Sequence, residues 1–170
     1  MARPPTTIRD SVEVWFRDRW LCNYCRRPTI FSLTFKLLER QVRQELRISP
    51  AYYGSAQIPR NTAPLLDELG ACIDHQEPYA PGGAHQVTNF VTACNRCNQR
   101  KGTKTRQQFM AEANHWVVKG KGGEPTRWDG LTSLFVLSAR ESPELLTARE
   151  KMYLKEFDAR LSDGRFEVAL

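Results

Sequence analysis

The sequence predicts an α+β fold: a small two-stranded hairpin, a helix following it, and additional helices around this core. Three observations carry that expectation. Ala71-Cys72-Ile73-Asp74-His75 and Val87 to Thr92 are short strand-like runs on either side of a polar loop, Gln76 to Gln86, which contains Pro78, Pro81, Gly82 and Gly83. A basic helix is expected from about Arg96 to Trp116, with Phe109, Ala113 and Trp116 on its apolar side. Four of the five cysteines form two Cys-x-x-Cys pairs, Cys22/Cys25 and Cys94/Cys97.

Each cysteine pair presents two thiolates from one tight turn, the donor set of a tetrahedral structural zinc. A redox dithiol is the lesser alternative. Cys72 stands alone and reads as a small, buried strand residue. No secretory stretch follows Met1-Ala2-Arg3-Pro4-Pro5, and no apolar run suits a bilayer, so no membrane association and a cytoplasmic, disulfide-poor setting are expected. With 41% hydrophobic and 26% charged residues, 170 residues suffice for one soluble domain. The expected division is a single domain, 1–170, with its core at 8–28 and 71–116, an insert at 29–70 and a helical extension at 117–170.

Before the first knuckle, Thr7 or Asp10 caps a helix reaching about Trp20, with Val12, Trp15, Phe16 and Arg19 at helical spacing. Inside the insert, Ser32 to Ile48 reads as an amphipathic helix with Leu33, Leu37, Leu38, Val42 and Leu46 near one stripe. Tyr52 to Pro64 is loop-like, and a short helical turn is expected at Leu65–Leu69. In the extension, Ser142-Pro143 signals a start, and Thr147 with Glu150 forms a capping box for a last helix.

The net charge is +6 and the pI about 9.2. Arg96, Arg100, Lys101, Lys104 and Arg106 place five positive charges in eleven residues with no acid between them. Such a run attracts a polyanion, and equally describes a solvated basic helix face. His85 and His115 read as surface or capping histidines, and the tryptophans as core.

The residues suited to chemistry are Asp74, His75, Asn89 and Asn98. A hard cation such as Mg²⁺ prefers oxygen donors, and Asp74 with the amide oxygen of Asn98 supplies two. His75, whose unperturbed pKa lies near neutrality, suits a general base for an attacking water. Asn89 is placed to hold the loop across from His75. Adjacent strand residues point to opposite faces, so Asp74-His75 is expected at a strand end or bulge, or with the metal and water between the faces.

Asp74-His75-Gln76-Glu77-Pro78 with Gly82-Gly83, and Asn89 through Cys94-Asn95-Arg96-Cys97-Asn98 to Lys101-Gly102, resemble the two halves of the HNH endonuclease motif. Tyr24 within Cys22-Asn23-Tyr24-Cys25 is also similar to the family's first knuckle. The resemblance covers roughly 8–28 and 71–116 and implies a ββα-metal fold. It implies Mg²⁺- or Mn²⁺-dependent cleavage of DNA phosphodiesters that leaves a 5′-phosphate. Asp74 and Asn98 then bind the catalytic ion, His75 is the base, Asn89 is the structural asparagine, and Cys22, Cys25, Cys94 and Cys97 hold zinc. Asn98 in place of a third histidine makes it an HNN variant. The long 29–70 segment leaves open a DNA-reading helix, a dimer arm or a lid. The competing readings are a non-catalytic zinc-stabilised nucleic-acid-binding module, and a nuclease subunit of a larger defence or mobile-element complex. A homodimer or a larger protein complex is compatible with either.

Overall fold

In the computed structural model, residues 4–47, 68–79, 82–112 and 128–162 are described. They fall into two compact units, Met1–Ile30 with Glu68–Gly130 and Phe31–Asp67 with Leu131–Leu170. The Tyr52-Tyr53 pair, most of the expected turn at Leu65–Leu69, His115 and Trp116 lie outside the described residues.

The first unit begins with helix α1, Ile8–Arg17, capped by the Thr7 hydroxyl, which accepts from the Asp10 amide at 3.0 Å. This bond satisfies one of the amides that a helix start leaves without a partner. Val12, Val14 and Trp15 are buried along its inner face. The helix ends where Arg19 and Trp20 take left-handed φ values of 54° and 56°. For side chains of this size that conformation costs about 1–2 kcal/mol each. The offset for Trp20 is burial of its indole, 5.1 Å from Trp15. Gly130, itself at φ +69°, lies so close to the Trp20 ring that a Cβ there would overlap it.

Strands β1, Ala71–His75, and β2, Phe90–Cys94, pair antiparallel from Ala71↔Cys94 to His75↔Phe90 without a bulge. The second strand therefore starts later than the expected Val87. Val87–Asn89 forms a short 3₁₀ turn instead, because the Asn89 side chain bonds the loop backbone, and such local bonds compete with a ladder. Thr92 ties β2 to α1: its amide donates to the Asp18 carboxylate at 2.7 Å, and its hydroxyl to the Val14 carbonyl at 3.3 Å.

The expected single basic helix is two helices, α3, Asn95–Lys101, and α4, Arg106–Glu112. Gly102 breaks them by adopting φ +55°. Thr105 and Gln108 then open α4 with reciprocal bonds of 2.9 and 3.1 Å, a capping box inside what reads as a continuous charged run. No helix among the described residues is long and apolar enough to cross a membrane.

The second unit contains α2, Ser32–Leu46, α5, Thr132–Glu141, and α6, Ala148–Ser162. Phe31 is its aromatic hub, meeting Phe135, Tyr153 and Phe157 edge-on at 5.0, 5.0 and 5.2 Å. Of the stripe expected on α2, Leu37 is buried, whereas Val42 and Leu46 are exposed. The capping box before α6 is present: the Thr147 amide donates to Glu150 at 2.8 Å and the Glu150 amide to the Thr147 hydroxyl at 3.3 Å.

Glu150 also accepts from Arg40 at 2.7 Å on both carboxylate oxygens. Burial raises its pKa, but the Arg40 guanidinium and the Thr147 bonds outweigh burial and hold it below the ordinary carboxylate value. A depressed folded-state pKa adds stability above the unfolded pKa that is lost as pH falls through the folded value. Wild type is thus expected to lose stability below about pH 4.5 more steeply than Glu150→Gln. At neutral pH the variant should be about 2–4 kcal/mol less stable, since it leaves the guanidinium without its counter-charge. Urea unfolding at several pH values, followed through α-helical circular dichroism, checks both; equal pH slopes would refute the first.

Candidate metal centre and active site

The first knuckle closes because Arg26 takes φ 60°, letting its amide donate to the Cys22 carbonyl at 2.9 Å while the Cys22 amide returns to the Arg27 carbonyl at 3.0 Å. The Asn23 amide donates to the Thr92 carbonyl at 2.8 Å, which seats this knuckle on β2. The second knuckle is the junction of β2 and α3, where the Cys94 sulfur accepts from the Cys97 amide at 3.5 Å.

Cys22, Cys25, Cys94 and Cys97 are all buried, and their sulfurs lie within 4.8 Å of one another. A tetrahedral ion with metal–sulfur bonds of about 2.3 Å separates its sulfurs by about 3.8 Å. The Cys25 and Cys94 sulfurs are 3.8 Å apart, too far for a disulfide. The donor set therefore fits a closed four-thiolate metal site. Hydrogen bonds from neighbouring thiols, Cys22 first, hold Cys25 far below the usual thiol range. Bonds from Cys22 and then Cys97 bring Cys94 down to about 7, against the opposing effect of Cys25 and of burial. Cys97 is pushed up because its proton is shared with Cys22, Cys25 and Cys94. Thiolates crowded this closely oppose one another's charge, and a divalent cation bound among them removes that opposition. Cys72 is outside this cluster, with its sulfur 3.7 Å from the Gly70 carbonyl and from the Asn95 amide oxygen.

Tyr24, between the cysteines of the first knuckle, connects this frame to Asp74. Its hydroxyl donates to Asp74 Oδ2 at 2.5 Å. Burial and the adjacent carboxylate push the phenol well above its ordinary pKa, so it stays a donor. Lys101 Nζ approaches the same carboxylate at 3.2 and 3.4 Å and donates to the His75 carbonyl at 2.8 Å. Lys101 is 1% exposed, so this ammonium faces inward, unlike a solvated phosphate contact. Asn98 lies one turn before Lys101 on α3, on the same side of the helix, and is partly exposed. The side-chain amide of Asn98 makes no hydrogen bond to another described residue. Both carboxylate oxygens of Asp74 are thus engaged, Oδ2 by Tyr24 and Lys101 and Oδ1 by Lys101.

His75 is the last residue of β1, and strand alternation turns it away from Tyr24 and Lys101. It is 2% exposed and packs edge-on against Phe90, its cross-strand partner, at 4.8 Å. His75 Nε2 meets His85 Nδ1 at 3.2 Å. A single sequence gives no signal for that contact, since it depends on the path of the loop rather than on spacing.

Asn89 clamps this loop from the turn before β2. Its Oδ1 accepts from the Glu77 amide at 2.9 Å, and its Nδ2 donates to the carbonyls of Glu77 and Ala84 at 2.8 and 2.9 Å. Its own carbonyl accepts from the Gln76 amide at 2.9 Å. Gly83 crosses so near the Glu77 and Pro78 carbonyls that a Cβ would collide with them. In Asn89→Asp, two carbonyls would face a carboxylate oxygen where they now receive N–H groups. That variant is expected to lose about 2–4 kcal/mol of local stability, read as faster amide exchange at Glu77 and Gly83. Unchanged exchange would refute the clamp.

Of the other basic residues, Arg96 pairs with Glu68 at 3.3 Å, Lys104 pairs with Glu112, and Arg106 Nε donates to Asn23 at 2.8 Å. Arg100 and Arg106 are exposed.

The family model described as HNH endonuclease matches residues 67–114, which hold both strands, the loop between them, the second cysteine knuckle and α4. The mixed helical fold with a small two-stranded sheet and a four-cysteine cluster accords with that match. No curated protein and no solved structure matches the chain.

Proposed function

We propose that the chain is a DNA endonuclease that hydrolyses phosphodiester bonds with His75 as general base and a divalent Mg²⁺ or Mn²⁺ ion held by Asp74 and Asn98. The observation that carries the reading is the Asp74-His75 pair, both buried at one strand end and fixed by separate contacts, within the stretch that matches HNH endonucleases. A pure binding module has no need of that investment.

In this reading a His75 ring nitrogen takes the proton of a water attacking phosphorus. The bond to the 3′ oxygen breaks, which leaves a 5′-phosphate. When bound, a divalent ion stabilises the extra charge on the phosphoryl oxygens and on the leaving oxygen. Asn89 keeps the loop in place, and with it the site. Zinc on the four cysteines is the frame for both knuckles. Exposed Arg100 and Arg106, with Arg96 on α3 and Lys104 between α3 and α4, meet the phosphate backbone, which makes binding salt-sensitive. One such site handles one strand, so nicking is the elementary event.

Supercoiled plasmid incubated with Mg²⁺ or Mn²⁺ tests the proposal. Wild type is expected to produce nicked circles, and His75→Ala to be slower by roughly 10²–10⁴-fold. If wild type is as inert as the variant in both metals, the zinc-stabilised nucleic-acid-binding module stands instead.

A further inference from the structure

We infer that His85 is the positioning residue for His75, accepting a hydrogen bond that fixes which ring nitrogen of His75 carries the proton. The inference rests on the reading of His75 as base, and it assigns a role to a loop histidine that neither the motif nor the basic patch uses.

Three observations converge on it. The contact is direct, with His75 Nε2 and His85 Nδ1 3.2 Å apart. Both imidazoles stand edge-on against the same ring, Phe90, at 4.8 and 4.9 Å, so neither turns without losing that packing. The backbone beside His85 is anchored as well: the Ala84 carbonyl accepts from Asn89 at 2.9 Å, and the Gly83 amide donates to the Pro78 carbonyl at 3.0 Å. The clamp by Asn89 therefore reaches His75 through His85.

Between two neutral imidazoles meeting nitrogen to nitrogen, one nitrogen must carry the hydrogen. With Nε2–H of His75 donating to Nδ1 of His85, the lone pair of His75 is on Nδ1. That is the nitrogen which takes the proton from water. After the transfer both His75 nitrogens carry hydrogen, and the Nε2–H bond to His85 persists and strengthens as the ring becomes cationic. The proton count closes with no further reactant. Partners of a working histidine commonly fix its tautomer and orientation in this way.

Packing alone would give His85 a purely structural role, and two substitutions separate the cases. His85→Asn keeps an oxygen bonded to Cγ, where Nδ1 was, and so keeps an acceptor. His85→Leu keeps apolar bulk and removes the acceptor. On plasmid with Mn²⁺, the leucine variant is expected to lose about 10–100-fold in kcat with KM nearly unchanged, and the asparagine variant to recover most of that loss. Equal losses in both variants, or none in either, would overturn the proposal.

A second measurement does not depend on cleavage. Two-bond ¹H–¹⁵N correlation spectra of the metal-free-buffer-exchanged, zinc-retaining protein at about pH 8, where imidazole is mostly neutral, report the tautomer of His75 directly. The Nε2–H form is expected in wild type and in His85→Asn, and a mixture of tautomers in His85→Leu. A His75 carrying its proton on Nδ1 in wild type would overturn the inference whatever the activity. If instead the expected tautomer is seen but no variant cleaves DNA, it is the nuclease reading that has failed.

Discussion

Cys97→Ser is expected to unfold the first unit rather than weaken it. The four sulfurs are part of its hydrophobic core, packed with Tyr24, Val91, Ala93 and Phe109. A structural zinc contributes about 10–16 kcal/mol in small zinc-dependent folds, while whole domains are stable by about 5–15 kcal/mol. With zinc in the cluster as proposed, losing it removes an amount comparable to the entire stability. A serine hydroxyl does not deprotonate as a thiol does, and three remaining thiols do not close a tetrahedral site. The two-stranded sheet depends on the frame around it, since two strands alone are at best marginally stable in water. Stripping metal from wild type with a strong chelator should give the same result. Elemental analysis is expected to find one zinc per chain in wild type, and amide spectra of residues 71–94 should collapse in the variant. Full metal content with an unchanged spectrum would refute the assignment of these cysteines.

Asp74→Ala is expected to have a double effect, on cleavage and on folding. For cleavage, if Asp74 holds the ion as proposed, its loss should slow the reaction by roughly 10³-fold or more, equivalent to about 4 kcal/mol of transition-state stabilisation. For folding, the variant leaves the ammonium of Lys101, 1% exposed, without its carboxylate. A buried charge deprived of its partner typically costs about 3–5 kcal/mol. The Tyr24 hydroxyl loses its acceptor in the same step. Adding Lys101→Met should restore most of the stability and none of the cleavage, because methionine fills the space without bringing a charge. Thermal unfolding of the two single variants and the double variant closes a thermodynamic cycle. Additive effects would show that the ammonium and the carboxylate do not depend on each other.

Some of this was legible in the chain and some was not, for physical reasons. A Cys-x-x-Cys knuckle is local: four consecutive residues contain its geometry, so both knuckles are readable from spacing. Strand β1 is equally local and has the bounds expected of it, Ala71–His75. The capping boxes are local too, yet that of Thr105 and Gln108 is easily passed over because the surrounding charges mimic one continuous helix. The inward turn of Lys101 is not legible, since a lysine in a basic run has every reason to seek water until a buried carboxylate is known to face it. The meeting of His75 and His85 is still less so. It needs a loop folded over Phe90, and the sequence between them says only that a turn occurs. On α2 the apolar spacing is real, but burial requires a partner surface, and Leu37 has one where Val42 and Leu46 are exposed.

The two halves of the four-cysteine cluster bear on how the chain comes to be folded. Cys25 and Cys94 meet across 69 positions of sequence. A ribosome adding about 5–20 residues per second exposes the first knuckle for several seconds before the second exists. Throughout that interval Cys22 and Cys25 are a bare dithiol, open to oxidants and to stray ions. The second unit offers no earlier foothold, because Phe31–Asp67 must wait for Leu131–Leu170. Neither unit is continuous in sequence, so each must wait for its later stretch to be made. Translation rate and the redox state of the nascent chain should therefore govern yield more strongly than they do for a protein whose domains follow one another in sequence.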